Sequence, residues 1–266
     1  MTGSTAAASW REALDAWAIP AHVLDAAPQT PHGFSVELFS RLADEAAGQD
    51  TPTTRAAADA LPAGGAVLDI GCGGGAASLR LASRAGRLVG VDESPAMLEA
   101  FAERAARFHV AVDTFAGRWP EVAGRVPMAD VAVCRNVVYN VPDLDTFAAT
   151  LTAAARHRVV VELTDEHPMA FTAPFWQALH GIDRPQRPTV DDALAVFNDL
   201  GLRLRSERWD VPWLLAGEDS DALVAFLTRR LCVGEDRARE VRAVLQRHPV
   251  PAVRPATTVW WPGTAR

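Results

Sequence analysis

The spacing of apolar positions changes near residue 65. Before it they recur at helical intervals broken by prolines; after it, short apolar runs alternate with helical stretches. Trp10 to Ile19 is amphipathic and stops at Pro20, and a short helix fits His22 to Ala26. The breakers between Pro28 and Gly33 make a loop. Phe34, Leu38, Phe39 and Leu42 carry a helical spacing over Phe34 to Ala47, and another short helix fits about Thr53 to Leu61. No strand pattern occurs here, so residues 1–62 read as an N-terminal helical cap.

Residues 63–266 read differently. Val67 to Ile70 is a short buried strand, Gly71 to Gly75 a turn, and Ala76 to Ala85 a helix. Further strands are expected at Arg87 to Val91, Val110 to Ala116, Ala129 to Cys134 and Arg158 to Leu163. Ser94 is placed to cap the second helix and Pro95 to occupy its first position. A helix follows from Leu144 to Ala155. The tail continues with a helix from Val190 to Leu200 and a strand from Leu202 to Trp209. Helices from Asp221 to Cys232 and Glu235 to Arg247 precede a last strand from Thr257 to Trp261. Strands separated by helices imply an α/β fold: a parallel sheet with right-handed crossovers, covered on both faces. The segment at about 165–188 is expected as a lid-like insertion.

Composition narrows the class. The chain has 266 residues, 49% hydrophobic and 22% charged, which is ordinary globular usage. It carries 26 basic residues, all Arg, against 33 acidic ones, for a net charge of -7. No basic stripe marks a nucleic-acid surface. No apolar run is long enough to span a bilayer. The first residues, Met1 to Thr5, have no positive stretch followed by an apolar run, and a cytoplasmic setting is expected. Cys72, Cys134 and Cys232 have neither zinc spacing nor an even count, so reduced buried thiols and no metal are expected.

The candidate chemistry lies in Val67-Leu68-Asp69-Ile70-Gly71-Cys72-Gly73-Gly74-Gly75. Glycines between a strand and a helix let the chain turn tightly and let a ligand approach the main chain. The helix beyond would offer unpaired N–H groups and a positive dipole end to an anionic group. Asp92, 21 residues after Gly71, ends the second strand, where a carboxylate can hold both hydroxyls of a ribose. A nucleoside-containing cofactor is therefore expected across these strand ends. Gly71, Gly73 and Ala76 formally satisfy the dinucleotide pattern, so an NAD-dependent oxidoreductase is one reading. Asp69 weighs against it, because a second carboxylate repels a pyrophosphate but suits an amino-acid end and a sulfonium. Asp69 either faces such a cofactor or caps the glycine turn.

Three segments carry a family resemblance. The glycine turn resembles the first motif of class I S-adenosylmethionine-dependent methyltransferases of the small-molecule type. Val89-Gly90-Val91-Asp92-Glu93-Ser94-Pro95-Ala96-Met97-Leu98 resembles their second, and Ala129 to Cys134 with Asn136 to Asp143 their fourth-strand region. The likeness covers about Ala66 to Leu163. It implies a Rossmann-like, seven-stranded, mostly parallel sheet that binds S-adenosyl-L-methionine. It also implies that backbone at Gly71, Cys72 and Gly73 lines the methionine end and that Asp92 holds the ribose. Glu93 and Met97 would flank the adenine, although Met97 at helical spacing with Phe101 also reads as core. Gly117-Arg118-Trp119 stand where the family usually has a small acidic pair, so backbone N–H groups or the Trp119 ring would serve there. Arg135 and Asn136 would lie near the methionine end or the acceptor.

The resemblance puts the acceptor at the end of the fourth strand. Arg135-Asn136-Val137-Val138-Tyr139-Asn140 matches neither the Asn/Asp-Pro-Pro-aromatic motif of amino-methylating nucleic-acid enzymes nor a Pro-Cys nucleophile. Cys134-Arg135-Asn136 lacks the carboxylates of the magnesium-dependent catechol type. A small, partly apolar acceptor is expected, with Tyr139, His167 and His32 as candidate catalytic groups. Glu162, Phe34, Phe171, Phe175, Trp176 and His180 are candidate lining. A non-catalytic protein retaining the cofactor fold is the remaining reading.

Overall fold

The computed structural model describes residues 4–32, 36, 50–213 and 221–264. The strands are β1 (Ala66–Ile70), β2 (Arg87–Asp92), β3 (Ala111–Ala116), β4 (Ala129–Arg135), β5 (Ala155–Thr164), β6 (Arg205–Pro212) and β7 (Val253–Pro262). They form one sheet in the order β3-β2-β1-β4-β5-β7-β6. Pairings from β3 to β5 are parallel; β7 runs antiparallel to both β5 and β6. The order reverses between β1 and β4, which opens a crevice at their carboxyl ends.

The helices among the described residues are α1 (Thr5–Asp15), α2 (Ala21–Asp25), α3 (Pro52–Ala60), α4 (Pro95–Ala106), α5 (Leu144–Ala154), α6 (Ala173–His180), α7 (Val190–Asp199), α8 (Asp221–Arg230) and α9 (Ala238–Arg247). Side chains alternate across each strand, so the sheet feeds two cores. One face packs Leu68, Ile70, Val89 and Val161 against Trp10 of α1, Phe147 of α5 and Phe197 of α7. The other packs Val67, Leu88, Val133 and Val160 against Ala57 of α3 and Phe101 of α4. A third core joins Val23 of α2, Phe175 and Trp176 of α6, Leu227 of α8 and Val244 of α9. Its helices α6, α8 and α9 leave from the sheet edge at which β1 and β4 end.

The described helices among the first 62 residues pack in different places. Helix α1 lies on one face of the sheet, α3 on the other, and α2 joins the third core. The apolar stripes of α1 and α3 each find a sheet face to cover, and that burial outweighs local contacts between them. The helix expected over Phe34 to Ala47, with Phe34 itself, lies outside the described residues.

Other expectations change: the first helix runs over Thr5–Asp15 and the last strand begins at Val253. Ala76 to Ala85 forms turns and a single 3-10 helix, Leu79–Leu81, instead of an α-helix. The Ser78 hydroxyl is donated to Asp69 of β1 at 2.6 Å, which ties the segment down, and i→i+3 bonds such as Leu81 N–H to Ser78 O replace the regular ladder. Strand β6 begins three residues later than expected, at Arg205, because its bounds follow its pairing with β7, from Arg205 opposite Trp260 to Pro212 opposite Val253. Strand β5 begins at Ala155, directly after α5, where Ala155 pairs with Ala129.

Gly90 in β2 shows how closely the second core is packed. A Cβ there would lie 2.7 Å from the Phe101 ring and 3.0 Å from the Cys72 sulfur. Phe101 is fully buried and has nowhere to retreat. Gly90→Ala is expected to cost about 1–3 kcal/mol in urea denaturation. Gly124→Ala, with nothing within 4 Å of its new Cβ, is expected to be neutral or slightly stabilising.

Candidate active site

The turn after β1 is built from left-handed glycines: Gly71 at φ 65°, Gly73 at φ 48° and Gly75 at φ 89°. Gly71 and Cys72 both donate N–H groups to Val91 O, at 2.8 and 3.0 Å, binding the turn to β2. Gly71 also lies against Val137, whose Cγ2 would be 2.4 Å from an added Cβ. The Asp92 carboxylate completes the arrangement. It accepts the Gly73 N–H on Oδ2 at 3.0 Å and the Ser94 N–H on Oδ1 at 2.9 Å. Ser94 caps α4 by accepting the Met97 N–H, and Pro95 starts that helix, as its sequence predicts. One carboxylate thus orients the glycine turn and the entry to α4.

Asp69 is buried behind this turn and accepts the Ser78 hydroxyl. Burial pushes its carboxyl up to about 7, opposed by the Ser78 bond and reinforced by the nearby Asp92 charge. Bracing the turn is what Asp69 visibly does. Cys72 and Met97 are buried, and burial pushes the Cys72 thiol well above its ordinary range. Glu93 and Arg118 are brought together as an ion pair, both more than half exposed, so the pair adds little to stability. Trp119 is buried in the first core, and its Nε1 has no hydrogen-bond partner among the described residues.

The end of β4 carries the polar chemistry. Arg135 Nε donates to Glu162 Oε1 at 2.6 Å, with Glu162 buried in β5. Thr53 of α3 donates to the other carboxylate oxygen at 2.5 Å and bonds Thr258 of β7 at 2.8 Å. Beside this network is a small cleft lined by Thr51, Thr53, Ala77, Arg80, Arg135 and Glu162, among others. Asn136 follows with φ 57°, a left-handed conformation that asparagine tolerates, and donates its N–H to Glu162 O at 2.8 Å. Arg80 and Thr53 were not legible as site residues. Each sits on a helical pattern remote in sequence from the strand end, and only the packing of α3 and the 3-10 segment brings them there.

The three catalytic candidates sit in different environments. Tyr139 donates its hydroxyl to Thr164 O at 2.7 Å, and burial pushes its pKa upward. His167 stacks on Trp17 with ring centroids 3.8 Å apart and accepts the Met169 N–H on Nδ1. Burial, and then the Arg184 charge, lower its pKa to about 3, so it is neutral and its Nδ1 is occupied. His32 is exposed, and its carbonyl accepts a hydrogen bond from Arg229 of α8. Among the candidate lining residues, Phe175 and Trp176 belong to the third core. Phe171 stacks edge-on with Trp213, and His180 bonds Leu231 O. Among the described residues no group of three or more His, Cys, Asp or Glu side chains is gathered for a metal ion.

Two titrations follow from these environments. An acid whose folded pKa lies above its unfolded value favours folding in its protonated form. The Asp69 contribution is therefore full below about pH 4 and is lost as pH rises through about 7. Asp69→Asn should remove this dependence. The stability difference between variant and parent, measured in urea at pH 4 and pH 8, should shift in the variant's favour by roughly 2–4 kcal/mol. The His167 ring resonances should stay fixed between pH 5.5 and 8 in an NMR titration; a midpoint near 6.5 would contradict its burial.

The family model described as a methyltransferase domain matches residues 67–158. A demethylmenaquinone methyltransferase of Tropheryma whipplei is 31% identical over 138 residues, 48% of this chain and 54% of that protein. The match thus spans about half of that relative's length. Among solved structures, the YcgJ protein of Bacillus subtilis superposes with a TM-score of 0.57 at 16% identity, covering 84% of this chain and all of that one. A SAM-dependent methyltransferase of Geobacter sulfurreducens, in complex with S-adenosyl-L-homocysteine, superposes at 0.51 and 16% identity over 98% of this chain and all of that one. The comparisons agree on one point: residues 67–158 match a methyltransferase domain, and the seven-stranded sheet shares its fold with these solved structures.

Proposed function

We propose that the protein transfers a methyl group from S-adenosyl-L-methionine to a small, partly apolar acceptor. The observation that carries this reading is the Asp92 carboxylate. A carboxylate offers about four acceptor positions. Two are taken by the Gly73 and Ser94 N–H groups, which hold the group still. Two remain, the number that a ribose diol requires. The cofactor supplies an electrophilic methyl carbon on a sulfonium.

The chain's own part is to bind and to aim. Left-handed glycines keep side chains off the main chain where the amino-acid end would pass, and Asp92 fixes the sugar. Tyr139 keeps its own proton, donated to Thr164 O, and His167 accepts the Met169 N–H on Nδ1, so neither takes a proton in this arrangement. An acceptor whose lone pair is already available at neutral pH fits best, with acceleration coming from alignment. The matched relative named for demethylmenaquinone supports a small-molecule acceptor. The three cysteines are buried and unpaired, which supports a reducing, cytoplasmic setting. No helix among the described residues is long and apolar enough to cross a membrane.

Asp92→Asn should weaken S-adenosyl-L-homocysteine binding by about 1–3 kcal/mol through lost charge-assisted hydrogen bonds, measured by calorimetry. An unchanged affinity removes the ribose assignment. Binding of NAD by the parent protein, with no response to the homocysteine compound, would move the protein to the oxidoreductase reading. Binding of neither would move it to a non-catalytic role.

A further inference from the structure

Arg254 stands where the parallel strands end, away from the glycine turn. Strand β7 runs antiparallel to β5, so its first residues reach the edge at which β5 stops. Ala256 is opposite Thr164, the last residue of β5, and Arg254 lies two residues farther out. Side chains alternate along a strand, and Glu162 is opposite both Arg135 and Thr258. Arg254 therefore shares the face of the sheet that carries those three residues. Strands β4 and β5 separate β7 from β1, which sets Arg254 about three strand spacings, or 14 Å, from the glycine turn.

The Arg254 charge is held in place but not neutralised. Nη1 donates to Pro168 O at 3.2 Å, and the guanidinium lies 4.2 Å from the centre of the Trp213 ring. Phe171 packs edge-on against the same indole, with ring centroids 4.5 Å apart. No carboxylate among the described residues forms an ion pair with Arg254. Asp165 is taken by Thr257 at 2.6 Å and by Arg208 at 3.5 Å. Asp210 is opposite Pro255 and so faces the other way. Burial, and then the Arg135 charge, bring the Arg254 pKa down to about 10, with no acid opposing them. The Nε–Nη2 edge, the side-on pair of guanidinium donors, bonds no described group, and neither atom is sealed from solvent. Arg254, Trp213 and Phe171 are each half-buried, so they form a shelf that is open on one side.

We propose that Arg254 recognises a carboxylate on the methyl acceptor, side-on through Nε and Nη2, with Trp213 and Phe171 as the apolar wall beside it. The inference rests on the methyltransferase reading and narrows its acceptor to a small organic acid. Two parallel N–H donors match a planar carboxylate, and a guanidinium already stacked and bonded through Nη1 loses little freedom in making them. The end of β4, where the acceptor is expected, lies two strand spacings from β7, about 10 Å, a distance that a small acid spans.

The test sets acids against their neutral amides. Benzoate, phenylacetate and hydrocinnamate, each beside its amide, are titrated by calorimetry into protein saturated with S-adenosyl-L-homocysteine. The parent should bind at least one acid about 10- to 100-fold more tightly than its amide. Arg254→Gln should bring acid and amide within about twofold of each other, and Arg254→Lys, which keeps the charge but not the fork, should fall between. Both variants should bind the homocysteine compound as the parent does, which also reports that they are folded. If Arg254→Gln does not fold, Arg254→Lys carries the same comparison. Acids bound no better than amides by the parent overturn the inference, as does a preference for acids that survives in the variants. Arg254 would then only brace Trp213 and Pro168, and its replacement would lower the melting temperature alone. A folded variant that loses affinity for the homocysteine compound assigns the carboxylate to the cofactor and overturns the inference too. Each of these results leaves the methyltransferase reading standing, whereas a parent protein that does not bind the homocysteine compound removes both.

Discussion

Asp92 accepts one main-chain N–H from the glycine turn and one from the entry to α4, and the architecture of the crevice depends on those two bonds. A turn of left-handed glycines has little preference of its own and loses much conformational entropy on ordering. Its shape must be imposed from outside. Val91 O imposes it on Gly71 and Cys72, Asp92 on Gly73, and Asp69 on the following segment through Ser78. All three constraints come from strands in register, since Asp69 lies opposite Gly90 and Ile70 opposite Val91. The parallel pairing of β1 and β2 is thus the source of the site's rigidity, and the packing of Phe101 beneath Gly90 keeps that pairing close.

A second constraint acts at the other side of the crevice. Arg135 and Glu162 are adjacent in the β4–β5 register and would each be costly to bury alone. Together with Thr53 and Thr258 they make a satisfied network that links α3, β4, β5 and β7. Such a network fixes geometry more than it adds stability. It anchors the first turn of α3 above the sheet, and so decides that the Thr51 end of that helix borders the cleft.

The third core shows how a helical layer is assembled over the strand ends from segments distant in the chain. Trp17 stacks on His167, and Arg184 lies 4.9 Å from both the Trp17 and Trp176 rings. The segment at 165–188 is thereby packed against the N-terminal region. These contacts also account for the state of His167: an imidazole buried against an indole, with the Arg184 charge nearby, is held neutral.

The linear sequence by itself determined the alternation of strands and helices, the glycine turn, the capped start of α4 and the aspartate that ends β2. Each of these is written in residues close together in the chain, where periodicity and turn chemistry act locally. Tertiary structure alone decided where α1 and α3 pack, why Ala76 to Ala85 departs from an α-helix, and that Tyr139 and His167 are engaged. It alone brought Arg80, Arg135, Glu162 and Thr53 together from four separate elements. Those outcomes depend on which apolar faces meet and which buried charges find partners, and both are settled between residues tens of positions apart, beyond the reach of any local pattern.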